Sequence, residues 1–234
     1  MLTTSNKVWR LRGAAALALF CVAGTGLALA PALAPTPGNV QDDKGPKGDP
    51  YPLDTCIVSG EKLGSMGAPI TLAHEGREIK LCCNGCVKPF KENPADFIAK
   101  IDEQIIKQQL PAYPLKNCLV MDTEKLGGED MGEPVNFVYK NRLVRFCCKS
   151  CLRQFNKKPA EFLEKLNAAV IEKQMAAYPL THCVVLEEES LGDDAINHVF
   201  ANRLVRFCCK GCVAKFDKDP LAYMARIDAA LVKE

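Results

Sequence analysis

The chain has 234 residues, 48% of them hydrophobic, a formal net charge of +2 and thirteen cysteines. Lys7, Arg10 and Arg12 stand in an N-terminal stretch without an acidic residue, so the remainder is close to neutral. That balance excludes the basic footprint of a nucleic-acid binder or of a protein held on an anionic membrane surface.

Residues 1–12 are polar and basic, and Gly13 to Ala30 is an uncharged, apolar run that ends in small residues. This order is that of an export signal. Cleavage after Ala28, with Gly26 upstream, avoids Pro31 and Pro35. The alternative is retention as an anchor, for which a run of about eighteen apolar residues is at the short end. Residues 1–30 are therefore expected to be a signal peptide or membrane anchor. The protein is expected to be exported, periplasmic or anchored facing the periplasm or exterior. Cys21, preceded by the bulky Phe20, is expected to be apolar filler within this segment. Residues 31–50 lack apolar periodicity and are rich in Pro, Gly and charge, which predicts a flexible linker.

From residue 51 the chain repeats itself three times. Tyr-Pro-Leu opens each copy at Tyr51, Tyr113 and Tyr178, and a first cysteine follows the Leu by three residues at Cys56, Cys118 and Cys183. The copies are assigned to 51–110, 111–175 and 176–234. A loop of variable length comes next, Glu61 to Pro69, Asp122 to Pro134 and Glu187 to Ala195. Its acids differ from copy to copy, which suits a solvated loop face rather than a cation site. Then Ile70 to Ala73 and Arg77 to Leu81 read as a hairpin. Gly76, Asn141 and Asn202 stand at its turn, residue types that accept positive φ. Ile79 with Leu81, Val144 with Phe146 and Val205 with Phe207 share one strand face, and Lys80, Arg145 and Arg206 lie on the other.

Each hairpin runs into a thiol-rich stretch: Cys82-Cys83-Asn84-Gly85-Cys86, Cys147 to Cys151 and Cys208 to Cys212. A short helical turn to Phe90, Phe155 or Phe216 follows. Pro94, Pro159 and Pro220, after Asn93, Lys158 and Asp219, then predict helix starts, with Asn and Asp as caps. Stripes such as Phe97, Ile98, Ile101 and Ile105 give each second helix a core face. The joints Pro111-Ala112 and Ala176-Ala177 are short enough that neighbouring copies should touch.

Twelve of the thirteen cysteines fall in the repeats, four per copy. A module of about sixty residues buries too little surface to be comfortable alone, and a metal or disulfides usually make up the difference. A hairpin that delivers thiols to a helix start, facing a cysteine upstream, has the geometry of a treble-clef metal site. Thiolate suits Zn²⁺ and Cu(I) better than Mg²⁺ or Ca²⁺. The helix N-terminus and the nearby Lys80, Arg145, Lys149, Arg206 and Lys210 are expected to favour ionised thiols. The fold class expected is α+β, with three tandem small treble-clef-like modules. Each is a β-hairpin, a short Cys-bearing helical turn and a longer C-terminal helix.

The upstream cysteine, the hairpin, Leu-Cys-Cys-Asn-Gly-Cys, the Phe four residues on and Asn-Pro-Ala-Asp-Phe together resemble the TRASH and YHS group of small heavy-metal-binding modules. The resemblance covers nearly all of residues 51–234 and implies roles in metal sensing, trafficking or resistance. Position by position it implies ligand sets Cys56, Cys82 and Cys86; Cys118, Cys147 and Cys151; Cys183, Cys208 and Cys212. This chain departs from a full treble clef in holding Ser59, Met121 and Leu186 where the upstream knuckle carries a second cysteine. Each copy instead has a vicinal thiol, Cys83, Cys148 or Cys209, counted here among the candidate metal ligands as a possible fourth donor. His74, His182 and His198 fall at non-equivalent positions and are expected on the surface or in the core.

The function expected is an exported, non-catalytic metal-binding protein with three cysteine-thiolate sites for zinc or another thiophilic ion such as copper(I). The metal serves a structural role or is buffered or passed on. Its partners are then the metal ion and a membrane-bound or exported protein, not nucleic acid. A disulfide-stapled periplasmic structural or interaction protein is the alternative, since export favours oxidised cysteines. A thiol redox protein using Cys83 to Cys86 and its equivalents is a third reading, weakened by the lack of a thioredoxin-like βαβ pattern. No phosphate loop, Ser-His-Asp set or carboxylate pair recurs, so the chain is not expected to be an enzyme.

Overall fold

The computed structural model describes residues 49–127 and 132–232. The expected leader, Cys21 and most of the linker lie outside the described residues, as does part of the acidic loop of the second copy. Among the described residues no helix is long and apolar enough to cross a membrane.

The architecture is α+β and says the same thing three times. The first unit comprises β1 (Ile70–His74), β2 (Arg77–Leu81), a 3-10 turn (Asn84–Cys86), α1 (Val87–Glu92) and α2 (Pro94–Gln109). The second comprises β3 (Val135–Tyr139), β4 (Arg142–Phe146), α3 (Lys149–Phe155) and α4 (Pro159–Met175). The third comprises β5 (Ile196–Phe200), β6 (Arg203–Phe207), α5 (Lys210–Phe216) and α6 (Pro220–Leu231). Each sheet is a single antiparallel hairpin, with Leu72 opposite Ile79, Phe137 opposite Val144 and His198 opposite Val205. The turns close tightly because both central residues take positive φ: Glu75 and Gly76, Lys140 and Asn141, Ala201 and Asn202.

A two-stranded ribbon is not stable by itself, and the second and third hairpins lie both on the short helix of their own unit and on the long helix of the unit before, α2 under β3 and β4 and α4 under β5 and β6. A phenylalanine of the short helix, Phe90, Phe155 or Phe216, is buried in each core. Phe155 meets Phe146 at 5.3 Å and Tyr139 at 5.2 Å between ring centroids, and Phe216 meets Phe207 at 5.3 Å and Phe200 at 5.5 Å. Ile101, Ile105, Leu166 and Val170 on the long helices are fully buried. The long helices begin at their prolines, but Asn93, Lys158 and Asp219 make no side-chain capping bond. The expected Asn and Asp caps are therefore corrected. Proline, whose fixed φ suits the first helical position, sets these starts without them.

The units also lock together. The turn residue Asn141 of the second unit accepts a hydrogen bond from Arg77 Nε (2.8 Å) and donates to the carbonyls of Asp49 and Glu78 (both 2.8 Å) in the first. Asn202 repeats this on the second unit, accepting from Arg142 Nε (2.7 Å) and donating to the Leu143 carbonyl (2.8 Å). Gln109 at the end of α2 donates to the Asn141 carbonyl (3.2 Å) and accepts from Leu143 N (2.9 Å) and Asn202 Nδ2 (3.1 Å). Gln174 at the end of α4 plays the corresponding part toward Asn202 and Leu204. Val138 of β3 joins the core of the first unit. Neighbouring copies touch, as their short joints require.

Candidate metal centres

Three groups of three cysteines come together, one in each unit: Cys56, Cys82 and Cys86; Cys118, Cys147 and Cys151; Cys183, Cys208 and Cys212. Within each group the sulfur atoms all lie within 4.8 Å of one another, and the group could hold a metal ion. Two thiols come from the junction of the second strand with the helix, where the chain leaves extended geometry at the vicinal cysteine (φ −161°, −155° and −156° at Cys83, Cys148 and Cys209) and turns helical. The third comes from the knuckle loop. There Cys56, Cys118 and Cys183 each donate a backbone N–H at 2.8 Å to the carbonyl of Glu61, Glu124 or Glu189, so the loop folds back over its own cysteine.

The knuckle is built to hold a negative sulfur. Burial pushes the Cys56 thiol up, but the backbone N–H groups of Cys82, Ser59 and Val58 and the Ser59 hydroxyl outweigh it, bringing the thiol down to about 7. Cys118 is lowered against the same burial by the amides of Cys147, Met121 and Val120, and Cys183 by those of Cys208, Leu186 and Val185. Hydrogen bonds to the charged form are what depress an acid group despite desolvation. Met121 and Leu186, which offer no thiol in the slot of a second knuckle cysteine, contribute through the main chain in the same way as Ser59. Any residue but proline can do so, and for that reason the contribution cannot be read from the side chains. Ser59 adds a further contact, its Oγ 3.2 Å from Cys82 Sγ.

The helix-side thiols are held in the opposite state. Burial and the neighbouring sulfurs push Cys86 up to about 12, and burial, with Cys118 and Cys148 adding to it, pushes Cys147 up to about 11. Cys151 and Cys212 are also raised, by burial first. The three strand cations expected to favour ionised thiols, Lys80, Arg145 and Arg206, are engaged elsewhere. Lys80 pairs with Glu78 at 3.3 Å. Arg145 donates to Asn136 Oδ1 and lies over the Tyr113 ring, and Arg206 does the same with Asn197 and Tyr178. That expectation is corrected: backbone amides, not the strand arginines, favour the thiolate.

The sulfur spacings fit a thiophilic ion. Zinc–thiolate bonds of about 2.3 Å set the edges of a tetrahedral or trigonal sulfur cage at roughly 3.8–4.0 Å. The Cys82–Cys86 and Cys147–Cys151 edges are 3.6 Å and the Cys208–Cys212 edge is 3.7 Å. The vicinal thiols lie against these edges. Cys83 is 3.8 Å from both Cys82 and Cys86, Cys148 is 3.9 Å from Cys147 and 3.7 Å from Cys151, and Cys209 is 3.7 Å from Cys212. They do not belong to the three-cysteine groups, and they are less enclosed than the other thiols of the helix start. None of the twelve described cysteines is joined in a disulfide.

No histidine enters a thiol group. His74 stands at the strand position held by Tyr139 and Phe200 in the other units, edge-on to Phe90 at 5.9 Å. His198 stands where the others have Leu72 and Phe137, against Phe216 at 5.8 Å, and burial lowers its affinity for a proton. Both fill apolar slots. His182 bridges to Ser190 at the neck of its knuckle loop. Of the described loop acids, Glu187 and Asp122 are exposed, the first pairing with Arg226 and the second with Lys165.

A soft ion placed among three such sulfurs would replace the protons of the helix-side thiols and balance the charge that the knuckle amides already favour. No family model, curated protein or solved structure matches the chain.

Proposed function

We propose that this chain is a non-catalytic metal-binding protein with three cysteine-thiolate centres, one to each repeat, taking zinc or another thiophilic ion such as copper(I). The observation that carries the reading is the threefold recurrence of a thiol triad, its sulfurs within 4.8 Å of one another and buried but for the half-buried Cys208, with backbone N–H groups cradling the knuckle sulfur. A cradle of that kind stabilises a thiolate, the form in which cysteine binds a metal. The motif resemblance to TRASH and YHS modules and the hairpin-to-helix placement of the thiols support a treble-clef-like description. The export-signal pattern of residues 1–30 supports a protein that works outside the cytoplasm, free or tethered, where it buffers a metal or passes it to an exported or membrane-bound partner.

Metal analysis of the protein purified without added reductant tests the reading: close to one ion per triad is expected. Thiol titration after denaturation and metal removal should find the repeat cysteines free. Absence of bound metal with the same thiols consumed in disulfides would replace this reading with a stapled structural protein.

A further inference from the structure

The fourth cysteine of each repeat lies outside the triad, and although Cys83 and Cys148 pack against their cores, it is the least enclosed of the three thiols at its helix start. Cys83 and Cys148 are part-exposed and Cys209 is exposed, whereas the knuckle cysteine and the last cysteine of every triad are buried. The vicinal sulfur rests on the outer side of the helix-start pair, 3.7–3.9 Å from its neighbours where hydrogen-bond geometry is met. The residue two positions on is Gly85, Ser150 or Gly211. A Cβ at Gly85 or Gly211 would meet the vicinal sulfur at 3.6 or 3.7 Å, and Ser150 Oγ touches Cys148 Sγ at 2.9 Å. Each vicinal cysteine is thus part-exposed or exposed while its sulfur touches a helix-side ligand. A position filled by sulfur in all three repeats, in contact with the triad and reachable from solvent, is placed for ligand exchange.

We propose that Cys83, Cys148 and Cys209 are transfer thiols, through which the ion held by each buried triad passes to an acceptor that presents thiols of its own. The proposal rests on the reading of the triads as metal centres. In the first repeat the ion lies on Cys56, Cys82 and Cys86. A sulfur lone pair of Cys83 forms a fourth bond to it, and the bond to Cys56 breaks. Acceptor thiolates then bond to the exposed ion one at a time, the first displacing Cys82, the second Cys86 and the third Cys83. Each step exchanges one metal–sulfur bond for another, so no electrons are gained or lost. The proton given up by an incoming thiol goes to the protein thiolate that is released. Access and thiolate availability control such exchange.

The test follows transfer from the cadmium-loaded full chain to dithiothreitol, read by decay of the thiolate-to-cadmium ultraviolet band. It compares the parent with the C83S/C148S/C209S triple variant. The expected result is one ion per triad in both proteins and a transfer rate slowed by about tenfold or more in the variant. Faster loss and lower metal content in the variant would mean that the vicinal thiols are ordinary fourth ligands, and would overturn the proposal. An unchanged rate would overturn it too. A parent protein that binds no metal would instead defeat the reading of the triads themselves. A second measurement needs no variant. When the loaded parent is treated with N-ethylmaleimide and each cysteine is followed by peptide mass, the vicinal three should label ahead of the triad cysteines with the metal retained. Equal protection of all four thiols of a repeat would overturn the proposal.

Discussion

Replacing Asn141 by Gly isolates what the lock between the first two units contributes. The position has φ +66°, which glycine accepts at little cost, so the turn survives and only the side chain is lost. Asn141 is 2% exposed, and its side chain makes two short bonds to neutral carbonyls, each worth about 1 kcal/mol net. It also accepts from the buried Arg77 guanidinium, a charged bond worth about 2 kcal/mol, whose loss strands a donor beside an Nη2 that already lacks a partner. Together these predict a loss of about 4 kcal/mol, and Asn141→Ala should cost about 1–2 kcal/mol more because Ala resists left-handed backbone. Urea unfolding followed by far-ultraviolet circular dichroism, with both proteins at the same saturating zinc concentration, measures the difference while the ligand-linked contribution cancels. Asn202→Gly should behave alike, since its bonds with Arg142 and the Leu143 carbonyl are the equivalents and a third goes to Gln109 Oε1. A loss below about 1 kcal/mol for both variants would refute the view that these turns are structural locks.

Asp102→Asn should change stability by less than about 1 kcal/mol despite the 2.6 Å contact with Arg77. Burial pushes the Asp102 carboxyl up more than Arg77 holds it down, and Asn167 makes the same contact with Arg142 in the second unit without a charge; denaturation midpoints check this. Zinc binding at pH 8 should release about two protons per ion, because Cys56 is already ionised near 7 while Cys82 is raised and Cys86 keeps its proton to about 12. Affinity should accordingly climb with pH through the neutral range; calorimetry in buffers of different ionisation enthalpy reads the proton count, and none released would contradict the assignment. In the metal-free protein, Ser150→Ala should slow alkylation of Cys148 at pH 7. The Ser150 hydroxyl is the first cause holding that thiol down at about 6, and without it more of the sulfur is protonated at pH 7. Mass-resolved labelling at several pH values checks the shift, and an unchanged profile would exclude the hydroxyl as its cause.

What could be read directly from the sequence was whatever a few consecutive residues decide. The hairpin turns at Gly76, Asn141 and Asn202, the proline-led helices and the junction of strand with thiols all follow from local φ preferences and short periodicities, and triplication made each signal visible three times. The knuckle amides were hidden because Ser59, Met121 and Leu186 do their part without their side chains. Asn141 and Asn202 were recognised as turn residues but not as plugs, since their partners lie some sixty residues earlier, at Arg77 and Arg142. Gln109 carried no signal at all: a polar residue at a helix end looks solvated until another unit covers it, and here it is 2% exposed. The strand arginines misled, because proximity in sequence to a thiol does not say which way a long side chain turns.

The reach of Gln109 bears on how such a chain can change over time. In a linear array of repeats each copy meets only the next, so copies can be added or lost singly with little effect elsewhere. Here one amide at the end of α2 contacts the turns of both later copies. Deleting the middle copy would leave that amide facing a partner set it was not built for, and lengthening the chain by one copy would not reproduce the contact that joins first to third. The number of thiol triads is therefore tied to the scaffold that carries them, and substitutions that retune one triad are easier to accommodate than a change in how many there are.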